Sequence, residues 1–178
     1  MDQTRGGPSH PTDPVRCGLY RTTKPIGDSV SEGVLVYFHN HGEPGPGVYP
    51  VARWSHNKAV FAKKGILLPE PGYARTLHPL RPEGFYQVVT PFYCCEKQCR
   101  RFDTSSLLQL GYDGSGQSIL FTPVWTLDGL KLPDKGTKVT EEKLQQLSPL
   151  KVPYSFEEDE PSSGLVAPEE PGHEHTIH

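Results

Sequence analysis

The 178-residue sequence predicts a mostly β protein: a small SH3-like barrel or a β-sandwich of short strands, with one or two short helices and disordered N- and C-terminal tails. Three observations carry this expectation. The 18 glycines and 19 prolines make up about a fifth of the chain, too many for a helical bundle, because both residues disfavour helix interiors. Short β-branched and aromatic runs recur along the middle of the chain, each bounded by turn-forming residues. Apolar residues reach only 34%, and the shortage is concentrated at the two ends.

Residues 1–16 contain three prolines, two glycines and almost nothing to bury, so they are expected to form a disordered arm. Residues 17–153 are the expected β-rich domain. Val34-Leu-Val-Tyr-Phe38, between Gly33 and the run His39-Asn-His-Gly42, reads as a buried strand. Val48–Trp54 reads as an edge strand, because Pro50 lacks the N–H a central strand needs. Lys58–Ala62, Gly65–Leu68 and Phe85–Thr90 follow as further strands. The clearest hairpin joins Leu107–Tyr112 to Gln117–Thr122 through Asp113-Gly-Ser-Gly116, residues that readily reverse a chain. A second reversal falls at Asp128-Gly129.

Cys94–Leu110 has two readings. Cys95, Cys99 and Phe102 have helical spacing, and the same residues suit a bulged strand leading into the hairpin. One further helix is expected after Thr140, an N-cap residue followed by Glu141 and Glu142, with Leu144 and Leu147 three apart and Pro149 ending it. Gly65–Gly72 echoes Gly129–Gly136 over eight positions, which reads as reuse of a good strand-turn sequence rather than a duplicated unit. Residues 154–178 carry seven acids and no Lys or Arg, an acidic, His-containing tail on a body whose residues 1–153 hold a net charge of +4.

Chemistry is concentrated in Phe92-Tyr-Cys-Cys-Glu-Lys-Gln-Cys-Arg-Arg-Phe102, where Lys97, Arg100 and Arg101 surround three of the four cysteines. Thiolates are nucleophiles and soft metal ligands, and nearby cations favour them. Zinc needs about four Cys or His ligands in tetrahedral array. The candidates are Cys17, His39, His41, Cys94, Cys95 and Cys99. Paired Cys-x2-Cys spacing is absent, and the ordinary alternative is that the cysteines pack as small apolar side chains. His39 and His41 fall on one side if their strand continues through them, with Glu32, Glu43 and His56 as loose further ligands. A shared structural zinc site requires that pair, or Cys17, to meet the cysteine cluster in space. The terminal Gly172–His178 run, with three histidines, can hold metal only weakly if mobile.

Phosphate-loop, nucleophile-elbow and dinucleotide-binding motifs are absent, which argues against nucleotide-dependent enzymes and serine hydrolases. The leading expectation is therefore a non-enzymatic interaction protein, an accessory or adaptor subunit of a larger assembly that takes a protein partner or a second copy of itself. Tyr49, Arg53, Trp54 and Lys58, beside the prolyl loop at 42–50, are its expected contact residues. One alternative is a metal- or thiol-dependent enzyme using His39, His41 and Cys94–Cys99. Another is a nucleic-acid-binding barrel masked by the acidic tail. No apolar leader or membrane-length run is present, so the cytoplasm is the expected location and no membrane contact is expected.

Overall fold

The computed structural model describes residues 15–41 and 45–151. The two expected tails lie outside the described residues, save for Val15 and Arg16, and so do Glu43 and the terminal histidine run. Within them the chain is mostly β. The strands are β1 (Gly18–Arg21), β2 (Leu35–His39), β3 (Gly47–Ser55), β4 (Lys58–Phe61), β5 (Ile66–Leu67), β6 (His78–Pro79), β7 (Gly84–Val88) and β8 (Phe92–Tyr93). They continue with β9 (Arg101–Phe102), β10 (Leu107–Tyr112), β11 (Ser118–Phe121), β12 (Val124–Thr126), β13 (Gly129–Lys131), β14 (Thr137–Lys138) and β15 (Leu147–Pro149). The helix expected after Thr140 is a 3-10 helix, Glu141–Gln146; Thr140 holds the N-cap position but makes no side-chain cap bond. A matching 3-10 helix spans Pro71–Thr76.

The strands make two large antiparallel sheets with the same order of pairing, and two separate two-stranded sheets, β8–β9 and β12–β13. One large sheet runs β4-β3-β2-β1-β6, with β5 also on β3, and the other runs β14-β11-β10-β7-β15. In each, three strands pair in chain order, β1, β2 and β3 in the first and β7, β10 and β11 in the second, where the β8–β9 hairpin is inserted after β7. A short fourth strand (β5 or β14) joins the third, a 3-10 helix follows, and a final strand (β6 or β15) closes on the first. The ladder registers equate Tyr20 with Tyr86, Val36 with Leu108, Phe38 with Leu110, and Val48 with Leu120. All eight are buried. The hydrogen bonds repeat as well. Tyr20 Oη donates to Arg16 O at 2.8 Å and Tyr86 Oη to Pro82 O at 2.7 Å. Leu80 N donates to Leu19 O and Leu150 N to Phe85 O, both at 2.9 Å. Gly33 and Ser105 take the same left-handed φ ahead of the second strand, 74° and 66°.

The chain thus builds one β unit twice, which corrects the reading of the internal echo. Gly65–Gly72 and Gly129–Gly136 set β5 against β13, which the topology does not equate. The true repeat is in Gly18-Leu-Tyr-Arg against Gly84-Phe-Tyr-Gln and in Leu77-His-Pro-Leu-Arg81 against Leu147-Ser-Pro-Leu-Lys151. Pro50 is corrected too, since β3 lies inside its sheet. The Pro50 carbonyl accepts Ala62 N–H at 2.9 Å, so its nitrogen faces the same side, at the break between β4 and β5. No β2 ladder bond is lost there. The helical reading of Cys95–Phe102 is also set aside: Phe92 pairs with Phe102 in the β8–β9 hairpin, and both rings enter the core.

Each unit has its own apolar centre. Tyr20, Val36, Phe38, Val48 and Leu77 fill the first; Tyr86, Leu108, Leu110, Tyr112 and Leu120 fill the second. Burying each such side chain stabilises by about 1.5–3 kcal/mol. The second centre also takes Leu35, and Val51, Ala59 and Phe61 of the β3–β4 hairpin pack against it. A bulge between Val51 and Arg53 turns that hairpin off its own sheet. At its tip, His56 and Asn57 take φ of 50° and 63°, the left-handed pair of a tight hairpin turn. Gln109, only 2% exposed, donates from Nε2 to His56 O at 2.9 Å and accepts from Asn57 Nδ2 at 3.2 Å. Gly111 lies under the turn, where any Cβ would overlap the Asn57 carbonyl oxygen.

Candidate functional site

Cys17 immediately precedes β1, and Gly18 pairs with Phe38, so continuing the register sets Cys17 across from His39. β2 ends at His39, yet His41 folds back until the two imidazole centroids are 3.9 Å apart. The donor atoms of Cys17, His39 and His41 all lie within 4.8 Å of one another. Asn40, between the histidines, holds the thiol. Its main-chain N–H donates to Cys17 Sγ at 3.3 Å, and Cys17 Sγ donates to Asn40 Oδ1 at 3.1 Å. Asn40 is itself anchored by a 2.8 Å bond from Nδ2 to Val15 O. Cys17 and His39 are half-buried and His41 is exposed; the two histidines, with Tyr49, Lys63 and Lys64, line a cleft of about 460 Å³.

The cysteine cluster is elsewhere, at the tip of the β8–β9 hairpin in the second unit. Cys94 N donates to Arg100 O at 2.9 Å, and Gln98, with φ 53°, closes the turn. Cys94 is buried against Phe92 and Phe102 and Cys95 packs partly buried against the same core, so two of the three take the expected packing role and Cys99 is exposed. Sγ–Sγ separations are 3.5 Å for Cys94–Cys95 and 3.5 Å for Cys95–Cys99. The Cys99 N–H, with the thiols of Cys94 and Cys99, lowers the half-buried Cys95 thiol to about 7. Cys99 is pushed up by its bond to Cys95 and by the charge that forms there. Among the described residues, no group of three mutually close metal donors joins this cluster to Cys17, His39 or His41. The six expected ligands are therefore two separate clusters, because each is built on a different sheet. Glu32 and His56 join neither.

Of the expected contact residues, Arg53, Trp54 and Lys58 lie on the β3–β4 hairpin and are exposed. Trp54 is 47% exposed, with its indole N–H fixed to Tyr112 O at 2.9 Å. It walls a cleft of about 500 Å³ between this hairpin and the second sheet. Tyr49 lies on the first sheet, pairs with Tyr37 and borders an apolar hollow with His39 and Phe61.

The sequence reading passed over the β12–β13 hairpin as a binding element. Among the described residues it pairs with no other strand, and Trp125 is 81% exposed and Leu127 fully exposed, flanked by Val124 and Leu130. The available signal was Val124-Trp-Thr-Leu127 next to Asp128-Gly129, an apolar run set against a tight turn. By position after the third strand, and by the shared two-residue turn, β12 and β13 correspond to the outer half of β3 and to β4, the second unit's counterpart of the docked hairpin.

No family model matches this chain, and neither do any curated proteins or solved structures. No helix among the described residues is long and apolar enough to cross a membrane.

Proposed function

We propose that this chain is a non-enzymatic interaction protein of the cytoplasm, an adaptor or accessory subunit built of two SH3-like units. Its free β12–β13 hairpin docks on a protein partner. One observation carries the reading: the first unit's hairpin is packed on the second unit's core, whereas the equivalent hairpin of the second unit presents Trp125 and Leu127 to solvent. An isolated two-stranded hairpin is marginal in water, so packing against a further surface would stabilise it. The internal contact supplies the precedent for the occupant, a sheet with an apolar face and a small residue where Gly111 stands. Trp125 and Leu127 act as the buried anchors; Arg53, Trp54 and Lys58 contribute a polar flank, and Tyr49 a more distant contact.

Light scattering on the full chain measures its mass, and pull-down from native extract isolates a partner that is then purified. The double variant Trp125→Asp/Leu127→Asp is expected to weaken that purified complex by more than about 30-fold, the effect of losing a central anchor. Unchanged affinity in the double variant would overturn the assignment of the hairpin. A chain that is monomeric and partnerless under all conditions would overturn the interaction reading itself. A dimer abolished by the same variant would identify the partner surface as a second copy.

A further inference from the structure

We infer that Cys17, His39 and His41 form a zinc-binding site that clasps the start of β1 to the end of β2, with its fourth position open to the adjoining cleft. One thiol and two imidazoles are the borderline-soft donors that zinc takes, and three protein ligands with an exchangeable fourth is an established zinc arrangement. Bond lengths near 2.3 Å to sulfur and 2.1 Å to nitrogen set tetrahedral donors about 3.6 Å apart. The present spread of up to 4.8 Å closes to this by small side-chain rotations, and His41, exposed beyond the strand, is free to make them.

The surroundings support the same assignment. His39 ends β2 and Cys17 lies one residue before β1, where the continued register sets it opposite His39, so the paired end of the ladder brings these two ligands together. The Asn40 N–H donates to Cys17 Sγ at 3.3 Å and orients the sulfur from outside the ligand set. On binding, the Cys17 S–H bond breaks and an S–Zn bond forms. One proton leaves to buffer and the bond to Asn40 Oδ1 is given up, while the one from Asn40 N–H is kept. Zinc does not change oxidation state. Lys63 and Lys64 line the same cleft, so the open position would favour water or a small anion.

The test uses the full chain, stripped of metal and titrated with Co2+ as a spectroscopic stand-in for Zn2+, then with Zn2+ against a coloured chelator. One ion per chain is expected, with a thiolate-to-cobalt charge-transfer band and the strong visible bands of a tetrahedral site. The band should vanish in Cys17→Ser and persist in a Cys94→Ser/Cys95→Ser/Cys99→Ser variant. Zinc affinity should fall at least 100-fold in His41→Ala, a change at an exposed residue that spares the fold. Asn40→Ala, which keeps the main-chain N–H but loses both side-chain bonds, should cost about 10- to 100-fold. Retention of the band in Cys17→Ser with loss in the triple variant would move the metal to the cysteine cluster and overturn the inference. Absence of any thiolate band, or full affinity in His41→Ala, would overturn it as well. None of these outcomes depends on a partner, so the site and the docking hairpin stand or fall separately.

Discussion

At the scale of single residues, local hydrogen bonding divides four similar thiols into different chemistries. Cys94 is buried beside two phenylalanines, Cys17 is held by Asn40, and the half-buried Cys95 shares a contact with the exposed Cys99. Bonds from the Cys99 N–H and the neighbouring thiols bring Cys95 to about 7, from an ordinary value of 9.0. A lowered thiol pKa means that the thiolate persists down to neutral pH and disappears as pH falls through about 7. Cys95 is therefore expected to alkylate first, with its rate half-maximal near pH 7, followed by mass spectrometry of modified peptides across pH 5–10. Equal labelling of Cys95 and Cys99 at neutral pH would contradict this ordering. The density of cysteines was legible in the sequence; the identity of the ionised one was not, because it depends on which backbone N–H points at which sulfur.

At the scale of elements, the β10–β11 hairpin shows how much a turn residue can do. Burial raises the Asp113 carboxyl, but Lys138 Nζ at 2.8 Å, the Ser115 hydroxyl at 2.7 Å and the Ser115 and Gln117 N–H groups outweigh it and hold the group at about 2. A depressed carboxyl stabilises the fold fully above its ordinary value of 3.8 and loses that contribution as pH falls through about 2. Asp113→Asn keeps an acceptor for the turn and removes the charge. It should cost about 1–2 kcal/mol at pH 7 in urea melts, and the gap from wild type should close as pH approaches 2. A gap that stayed constant with pH would assign the effect to turn geometry instead. This hairpin and the one at Asp128-Gly129 were both readable, since their turns are local. The placement of β3 was not, because nothing near Pro50 in sequence reveals that its nitrogen faces a break between two partner strands.

At the scale of the whole molecule, the two units are bound together by the first unit's hairpin and by Leu35, both packed on the second centre. Glu141 reinforces the junction, reaching His78 at 2.7 Å and Arg21 at 3.8 Å. The units are therefore expected to unfold together. With Trp125→Phe leaving Trp54 as the only indole, the fluorescence and far-ultraviolet circular dichroism transitions in urea should coincide. Gly111→Ala forces a methyl group against the Asn57 carbonyl and should cost about 1–3 kcal/mol. Its loss should appear first in Trp54 fluorescence, as the hairpin lifts from the second sheet. Leu110→Ala, in the centre itself, should cost about 2–5 kcal/mol and move both signals equally. Separate transitions in the wild type would mean that the shared centre does not couple the units.

Residue order alone left the short strands β1, β6, β14 and β15 unplaced but was enough for the mostly β character, strands β2–β5, β7, β10 and β11 with their turns, and the donors available for metal or thiol chemistry. These are local matters of propensity, alternation and turn residues within a few positions of one another. Tertiary structure alone decided the duplication, the splitting of the six expected ligands into two clusters, and which of two equivalent hairpins remains uncovered. The physical reason is that each depends on ladder pairing across the chain: Tyr20 meets Pro79, Cys17 comes opposite His39, and the tip at Asn57 lands on Gly111. Pairings at such separations are selected by burial of a shared apolar face, and short strands of similar composition offer many alternatives until that face is assembled.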